Sequence, residues 1–342
     1  MAYISFQPSD FFNLKLYTGN DSTQSITLDG DTDMQPDMVW IKKRDATSNH
    51  CVMDAVRGAT WVLKPNITEA SVDEDGLTSF DSDGFSLTDY VNTNSSNTFV
   101  AWNWKANGTG SANTEGDIDT TISANTTSGF SIIGGCDDLS DGDTFGHGLD
   151  SAPNMVWLKR TDSTSGWRVF YTGITSGSTL VLNDTDAVAS DNDCINSVSS
   201  TLITIKGSGT GGTEGDNENV AYAWQSVQGY SKIGSYTGNG NADGSFVYTG
   251  FRPAYVMIKK TNSTGNWCIY DNRRVGYNPN NNEVYADLTN VEGDVEYVDI
   301  LSNGFKLTST TSETNNSGDT YIYMAFAHSP FVNSKGVPTN AR

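Results

Sequence analysis

The chain is poor in cysteine, histidine and cations. Four cysteines occur in 342 residues and none forms Cys-x-x-Cys, which removes the usual zinc and redox spacings. No two of the three histidines, His50, His147 and His328, stand at metal-ligand spacing, and nothing around them supports a Ser-His-Asp site. Twenty Lys and Arg face 41 Asp and Glu, for a net charge of -21. Such a field repels nucleic acid and anionic membrane surfaces and favours solubility. No apolar run approaches the ~20 residues of a membrane-spanning helix, so no membrane insertion is expected. No long segment places apolar residues at helical spacing. The start, Met1-Ala2-Tyr3-Ile4-Ser5-Phe6-Gln7-Pro8, lacks the basic and apolar regions of a secretory signal.

What the chain does have is glycine, asparagine, serine, threonine and aspartate, with aromatic residues inside alternating segments. Short strands joined by many turns have this composition. One strand signature recurs three times, as Pro36-Asp37-Met38-Val39-Trp40-Ile41-Lys42-Lys43, Pro153-Asn154-Met155-Val156-Trp157-Leu158-Lys159-Arg160 and Pro253-Ala254-Tyr255-Val256-Met257-Ile258-Lys259-Lys260. Both faces begin apolar, so each copy reads as a central strand with a charged exit. Fourteen residues after each proline stands His50, Trp167 or Trp267. A second strand beginning there predicts an antiparallel hairpin. His50 shares its position with two tryptophans, so packing explains it better than chemistry.

The repeat continues along the chain. Tyr17-Thr18-Gly19-Asn20 matches Tyr236-Thr237-Gly238-Asn239, and Asp83-Gly84-Phe85 matches Asn303-Gly304-Phe305. Each copy closes on an aromatic strand: Phe99 to Trp104, Val220 to Trp224, or Tyr321 to Phe326. The expected organisation is an arm at 1–12, repeats at 13–107, 127–227 and 228–333, a linker at 108–126, and a tail at 334–342. The fold class is all-β: three tandem β-sandwich or jelly-roll-like domains, each of about 100 residues and able to bury its own core. They read as independent beads. Cys51 and Cys268 occupy equivalent places in different repeats, so a bond between them is not expected. Cys136 and Cys194 lie in one repeat, where pairing stays open.

The Tyr-Thr-Gly-Asn turn, the Pro-x-x-Val-Trp-Ile-Lys strand, the Asp-Gly-Phe strand and the closing Ala101-Trp102-Asn103-Trp104-Lys105 together resemble the tandem concanavalin-like (LamG-like) sandwich repeats of virion proteins from marine tailed bacteriophages. Phe6-Gln7-Pro8-Ser9-Asp10-Phe11-Phe12 is similar to their N-termini. The resemblance covers almost the whole chain and is clearest in the first repeat. The second lacks the Tyr-Thr-Gly-Asn and Asp-Gly-Phe motifs, and the third has Met257 in place of Trp. The resemblance implies an exterior virion component, such as a tail fibre, tail-tip adhesin or capsid decoration. It implies no catalytic residue, metal or cofactor. The expected partners are other virion proteins and copies of itself, and the expected location is the virion, reached from the host cytoplasm by lysis.

Two other functions come from the residues themselves. Glu292-Gly293-Asp294-Val295-Glu296 would place three carboxylates on one face if it were a strand. It resembles the Glu-x-Asp-x-Glu motif of jelly-roll glucanases, so a glycosidase using Glu292 and Glu296 is one alternative. A carbohydrate-binding receptor protein, with host-surface glycan as partner, is the other. Trp40, Trp102, Trp157, Trp224 and Trp267 recur at matching positions and read as core. Trp61 and Trp104 do not recur in that alignment and read as surface candidates. The loops Asp29 to Asp33 and Asp137 to Asp143 are dense in the hard oxygens that calcium takes. Acidic turns are the competing explanation.

Overall fold

The computed structural model describes residues 6–208, 217–275, 278–279 and 281–330. The chain is all-β, built from antiparallel sheets. The strand Met38–Lys43 lies between Thr98–Trp104 and Cys51–Asp54 in a six-stranded sheet that also holds Phe12–Thr18, Gly58–Leu63 and Val72–Asp73. The hairpin expected after the proline strand is present, with Trp40 opposite Val52. A second sheet of three strands, Gln24–Thr27, Gly84–Leu87 and Ser79–Asp81, packs on one face of the first. Ile26, Phe85 and Leu87 meet Val39, Ile41, Met53 and Phe99 in that sandwich core.

The same arrangement recurs twice. Met155–Arg160 lies between Asn219–Trp224 and Arg168–Tyr171 in an eight-stranded sheet, and Phe251–Lys260 lies between Thr320–Pro330 and Trp267–Asp271 in a five-stranded one. Each has its own three-stranded partner sheet, and each pair encloses its own core. The Gly of the Gly-Phe motif now has a steric reason. A Cβ on Gly84 would stand 1.9 Å from the Ile26 carbonyl oxygen, and one on Gly304 would stand 2.1 Å from that of Val247. Neither site admits a side chain while the strands stay paired.

The three repeats are not independent beads. The large sheets turn their remaining faces toward one another and share a fourth core. Trp40, Trp102 and Trp104 of the first repeat join Trp157, Trp167 and Trp224 of the second and Tyr255, Met257 and Trp267 of the third. Trp40 meets Trp157 edge to face with ring centroids 5.7 Å apart, and Trp104 meets Phe326 at 5.6 Å. Alternation along the proline strand explains this. Val39 and Ile41 face the repeat's own sandwich core, whereas Met38 and Trp40 face the shared one. A strand buried on both sides must be apolar on both.

The joining segments take part as well. The stretch expected as a linker forms Ser111–Asn113 and Thr120–Asn125, which extend the sheet of the second repeat. The start of the chain packs across repeats: Phe6 and Phe11 lie 5.6 and 6.2 Å from Tyr230, and Phe12 stacks on Phe326 at 5.0 Å. The tail at 334–342 and the first five residues lie outside the described residues. All four cysteines are free and buried.

Candidate functional site

The most ordered chemistry in the molecule lies at the junctions between repeats, and it repeats cyclically. Trp167 Nε1 donates to the Lys64 carbonyl of the first repeat at 3.2 Å, and Trp267 Nε1 donates to the Val181 carbonyl of the second at 2.9 Å. His50 Nε2 meets the Tyr285 carbonyl of the third at 3.0 Å. The third bond closes the ring. His50 Nδ1 accepts from Trp40 Nε1 at 2.9 Å, which leaves the proton on Nε2. Burial, the main cause, holds the ring well below its ordinary pKa. A neutral His50 therefore supplies the same N–H that tryptophan supplies in the other two repeats.

A second ring runs beside it. Lys42, Lys159 and Lys259 stand six residues after the three prolines and all three are fully buried. The expectation of a charged exit fails here, because each ammonium is sealed beneath backbone carbonyls of the next junction. Lys42 Nζ reaches the Thr289 carbonyl at 3.2 Å, Lys159 Nζ that of Thr68 at 3.4 Å, and Lys259 Nζ that of Thr185 at 2.8 Å. The same three carbonyls accept the backbone N–H of Ser48, Ser165 and Gly265 at 2.9–3.0 Å. Burial lowers the three lysines to about 8, about 7 and about 8. A third set of backbone bonds, Ser71 to Thr161, Val188 to Thr261 and Glu292 to Arg44, completes the interlock.

The candidate glycosidase segment serves this interlock. Residues 291–296 form no strand, so the expected common face for Glu292, Asp294 and Glu296 does not exist. Gly293 makes an isolated bridge to Glu283 instead. Arg44 holds both oxygens of Glu292, at 2.9 and 2.8 Å, while Asp294 and Glu296 are exposed. The carboxylate expected as nucleophile or acid thus ties the third repeat to the first.

The acidic loops are held by local pairing. Asp29 bonds Lys15 at 2.6 Å. Asp137, Asp141 and Asp143 accept backbone N–H groups of Asn219, Gly207 and Ser140. Among the described residues no group of three or more His, Cys, Asp or Glu could hold a metal ion. His147 is buried, its Nδ1 accepting from Leu149 N at 3.1 Å. His328 lines a cleft of about 220 Å³ between the first and third repeats, with Asn13, Asp29, Asp31 and Arg273.

Of the two surface tryptophans, Trp61 is 41% exposed, and Trp104 is fully buried. Trp104 does recur. It faces Met38 as Trp224 faces Met155 and Phe326 faces Tyr255. Matching Trp102 to Trp224 was a register error of two residues, since Trp102 corresponds to Tyr222 and Met324. The buried lysines were visible in the sequence as an invariant offset within the motif. Only the shared core gives that offset its meaning.

The sequence matches no curated protein. The profile of one family, described as a domain of unknown function, DUF7483, matches residues 7–330. That span takes in all three repeats and the interlock between them, and the chain belongs to the DUF7483 family.

Proposed function

We propose that this chain is a non-enzymatic structural protein on the exterior of a bacteriophage virion, acting through protein–protein assembly. The observation that carries the reading is the closed interlock. The polar residues that recur between repeats, together with Glu292, Arg44 and His50, hold the three sandwiches to one another. The lysine and Trp/His positions that recur between repeats serve the contacts between them, and the outer faces of the small sheets differ from repeat to repeat. That division suits a building or attachment part, such as a tail fibre, tail-tip adhesin or capsid decoration. The concanavalin-like resemblance of the repeats supports the same class. A net charge of -21 keeps such a part soluble before assembly.

The test is immunogold labelling. Antibody against this chain is applied to density-purified particles from a lysate of the host that produces it. Gold on the head or tail is the expected result and also separates decoration from tail part. Recovery of the chain only from particle-free fractions would overturn the proposal.

A further inference from the structure

The three small outer sheets share one topology but differ at one place. In each, a row of three residues crosses the outer face. In the first repeat the row is Ser79, Ser86 and Ser25, and in the second it is Ser197, Thr204 and Thr144. All six carry small hydroxyls. Ser25 and Ser86 bond each other at 2.8 Å. In the third repeat the row is Asp299, Lys306 and Phe246. The next row there runs Leu301, Gly304 and Tyr248. Phe246 and Tyr248 are 47% and 52% exposed, where the first repeat has Ser25 and Thr27 and the second has Thr144 and Gly146.

The two rings lie on the same face of one strand, because alternate side chains point the same way. Their backbones stand roughly 6.8 Å apart. The edge of the Phe246 ring lies over Gly304, 3.1 Å from where a Cβ there would stand, so the glycine lets that ring lie across the strand. Charged groups rim the rings. Lys306 pairs with Asp243, and one oxygen of Asp299 is buried without a hydrogen-bond partner. Exposed aromatic faces beside hydrogen-bonding charged groups suit a ligand that has both C–H faces and hydroxyls.

Strand addition by a peptide fits less well. Lys232 Nζ sits 2.6 Å from the Tyr248 carbonyl oxygen and 5.4 Å from its ring centroid. That ammonium occupies the edge a new strand would use, and lysine is a usual guard of such edges. In the second repeat the equivalent edge is covered by the chain itself: Gly146 N donates to the Glu115 carbonyl and Asp117 N to that of Thr144.

We infer that the outer face of the third repeat's small sheet, centred on Phe246 and Tyr248, binds a hexose polysaccharide by stacking sugar rings on the two aromatic faces. Asp299, Lys306 and Lys232 supply its polar contacts.

The test is affinity electrophoresis of the full chain through gels cast separately with dextran, galactomannan, glucomannan and pullulan. Retardation by at least one polysaccharide is expected. The double variant Phe246→Ser and Tyr248→Thr, which restores the residues of the first repeat, should weaken the apparent affinity at least tenfold. Both positions are exposed, so its melting curve should overlay that of the unaltered chain. Ser25→Ala should migrate unchanged. Retardation by none of the four overturns the inference, as does equal retardation of the double variant. A concentration-dependent dimer in sedimentation that the double variant dissolves also overturns it, in favour of a second copy on this face. Particle labelling and this assay fail separately, so either idea can fall alone.

Discussion

At two of the three junctions between repeats an ion pair borders the shared core, and at the third the corresponding positions hold uncharged residues. At the first, Asp54 binds Arg57 Nε at 2.6 Å and accepts the Tyr222 hydroxyl of the second repeat at 2.7 Å. At another, Asp271 binds Arg274 Nε at 2.6 Å and accepts Trp102 Nε1 of the first repeat at 3.2 Å. The second repeat has Tyr171 and Ile174 at these positions, and both pack into the shared core. The same backbone therefore accommodates either solution. What it does not accommodate is half of one. A buried ion pair can be swapped whole for apolar groups, whereas one partner left alone is costly.

The largest effect should come from deleting a junction outright. A chain ending at residue 227 loses every partner that the third repeat provides. His50 loses the Tyr285 carbonyl, Lys42 loses one of its three carbonyls, and Trp102 loses Asp271. Large apolar side chains of both remaining repeats would meet water. The expected outcome is a chain that aggregates or shows no cooperative melting transition by circular dichroism. A soluble, cooperatively folding two-repeat chain would restore the picture of independent beads.

Breaking one ion pair should rank next. Asp271→Asn removes the carboxylate that bonds Arg274, whose side chain is fully buried, and leaves it the Glu292 carboxylate at 3.9 Å; it should cost about 3 kcal/mol or more. Asp54→Asn should cost less, because the Arg57 side chain keeps 10% exposure. Tyr171→Phe, at the same position of the junction without this ion pair, should cost about 0–1 kcal/mol. Urea titrations of the three variants give the order directly. Equal losses at all three would mean that the polar junctions hold no special leverage.

Much of this fold was legible, and the reason is period. The proline strands, the hairpins and the Gly-Phe strands all carry signals confined to a few residues. The recurring prolines also placed Trp40, Trp157 and Trp267 correctly in a core. Which core was not legible. A strand with two apolar faces states that both are covered, and names neither cover. That is why Lys42 looked like an exit to solvent and Glu292 looked available for chemistry. Each is satisfied by a residue more than 200 positions away, through Thr289 and Arg44 respectively. The pair Phe246 and Tyr248 was legible in principle. It needed the register of the small sheets, which sets those residues against Ser25 and Thr27.

The contrast between Trp104 and Trp61 gives a smaller comparison. Trp104→Ala should cost about 3–5 kcal/mol as a buried aromatic truncation. Trp61→Ala should stay within about 0.5 kcal/mol, as an exposed position does. Trp104 Nε1 has no hydrogen-bond partner, and the third repeat uses Phe326 at this place. Trp104→Phe should therefore recover most of the loss. A Phe variant as unstable as the Ala variant would show that shape, rather than apolar area, sets the shared core.

The lysine ring makes the subtlest comparison, because it separates the junctions by pH rather than by deletion. Lys42, Lys159 and Lys259 are lowered to about 8, 7 and 8 by burial, against an ordinary value near 10.5. Above these folded values the unfolded chain binds more protons than the folded one, so stability should rise with pH. The window runs from about 7 to about 10.5, and below it the cost of burying each charge is fully present. The carbonyls around each ammonium favour the charged form and temper the slope. Between pH 7 and 9 Lys42 and Lys259 should each contribute about 1 kcal/mol of the rise, and Lys159 about 2 kcal/mol. Replacing one by Met should flatten the stability profile by that share and leave the other two. Lys159, with the lowest value, should start its rise first. A profile that is flat over this window in the unaltered chain would mean that the carbonyl cages fully offset burial. In that case the three junctions would be held by permanent charges.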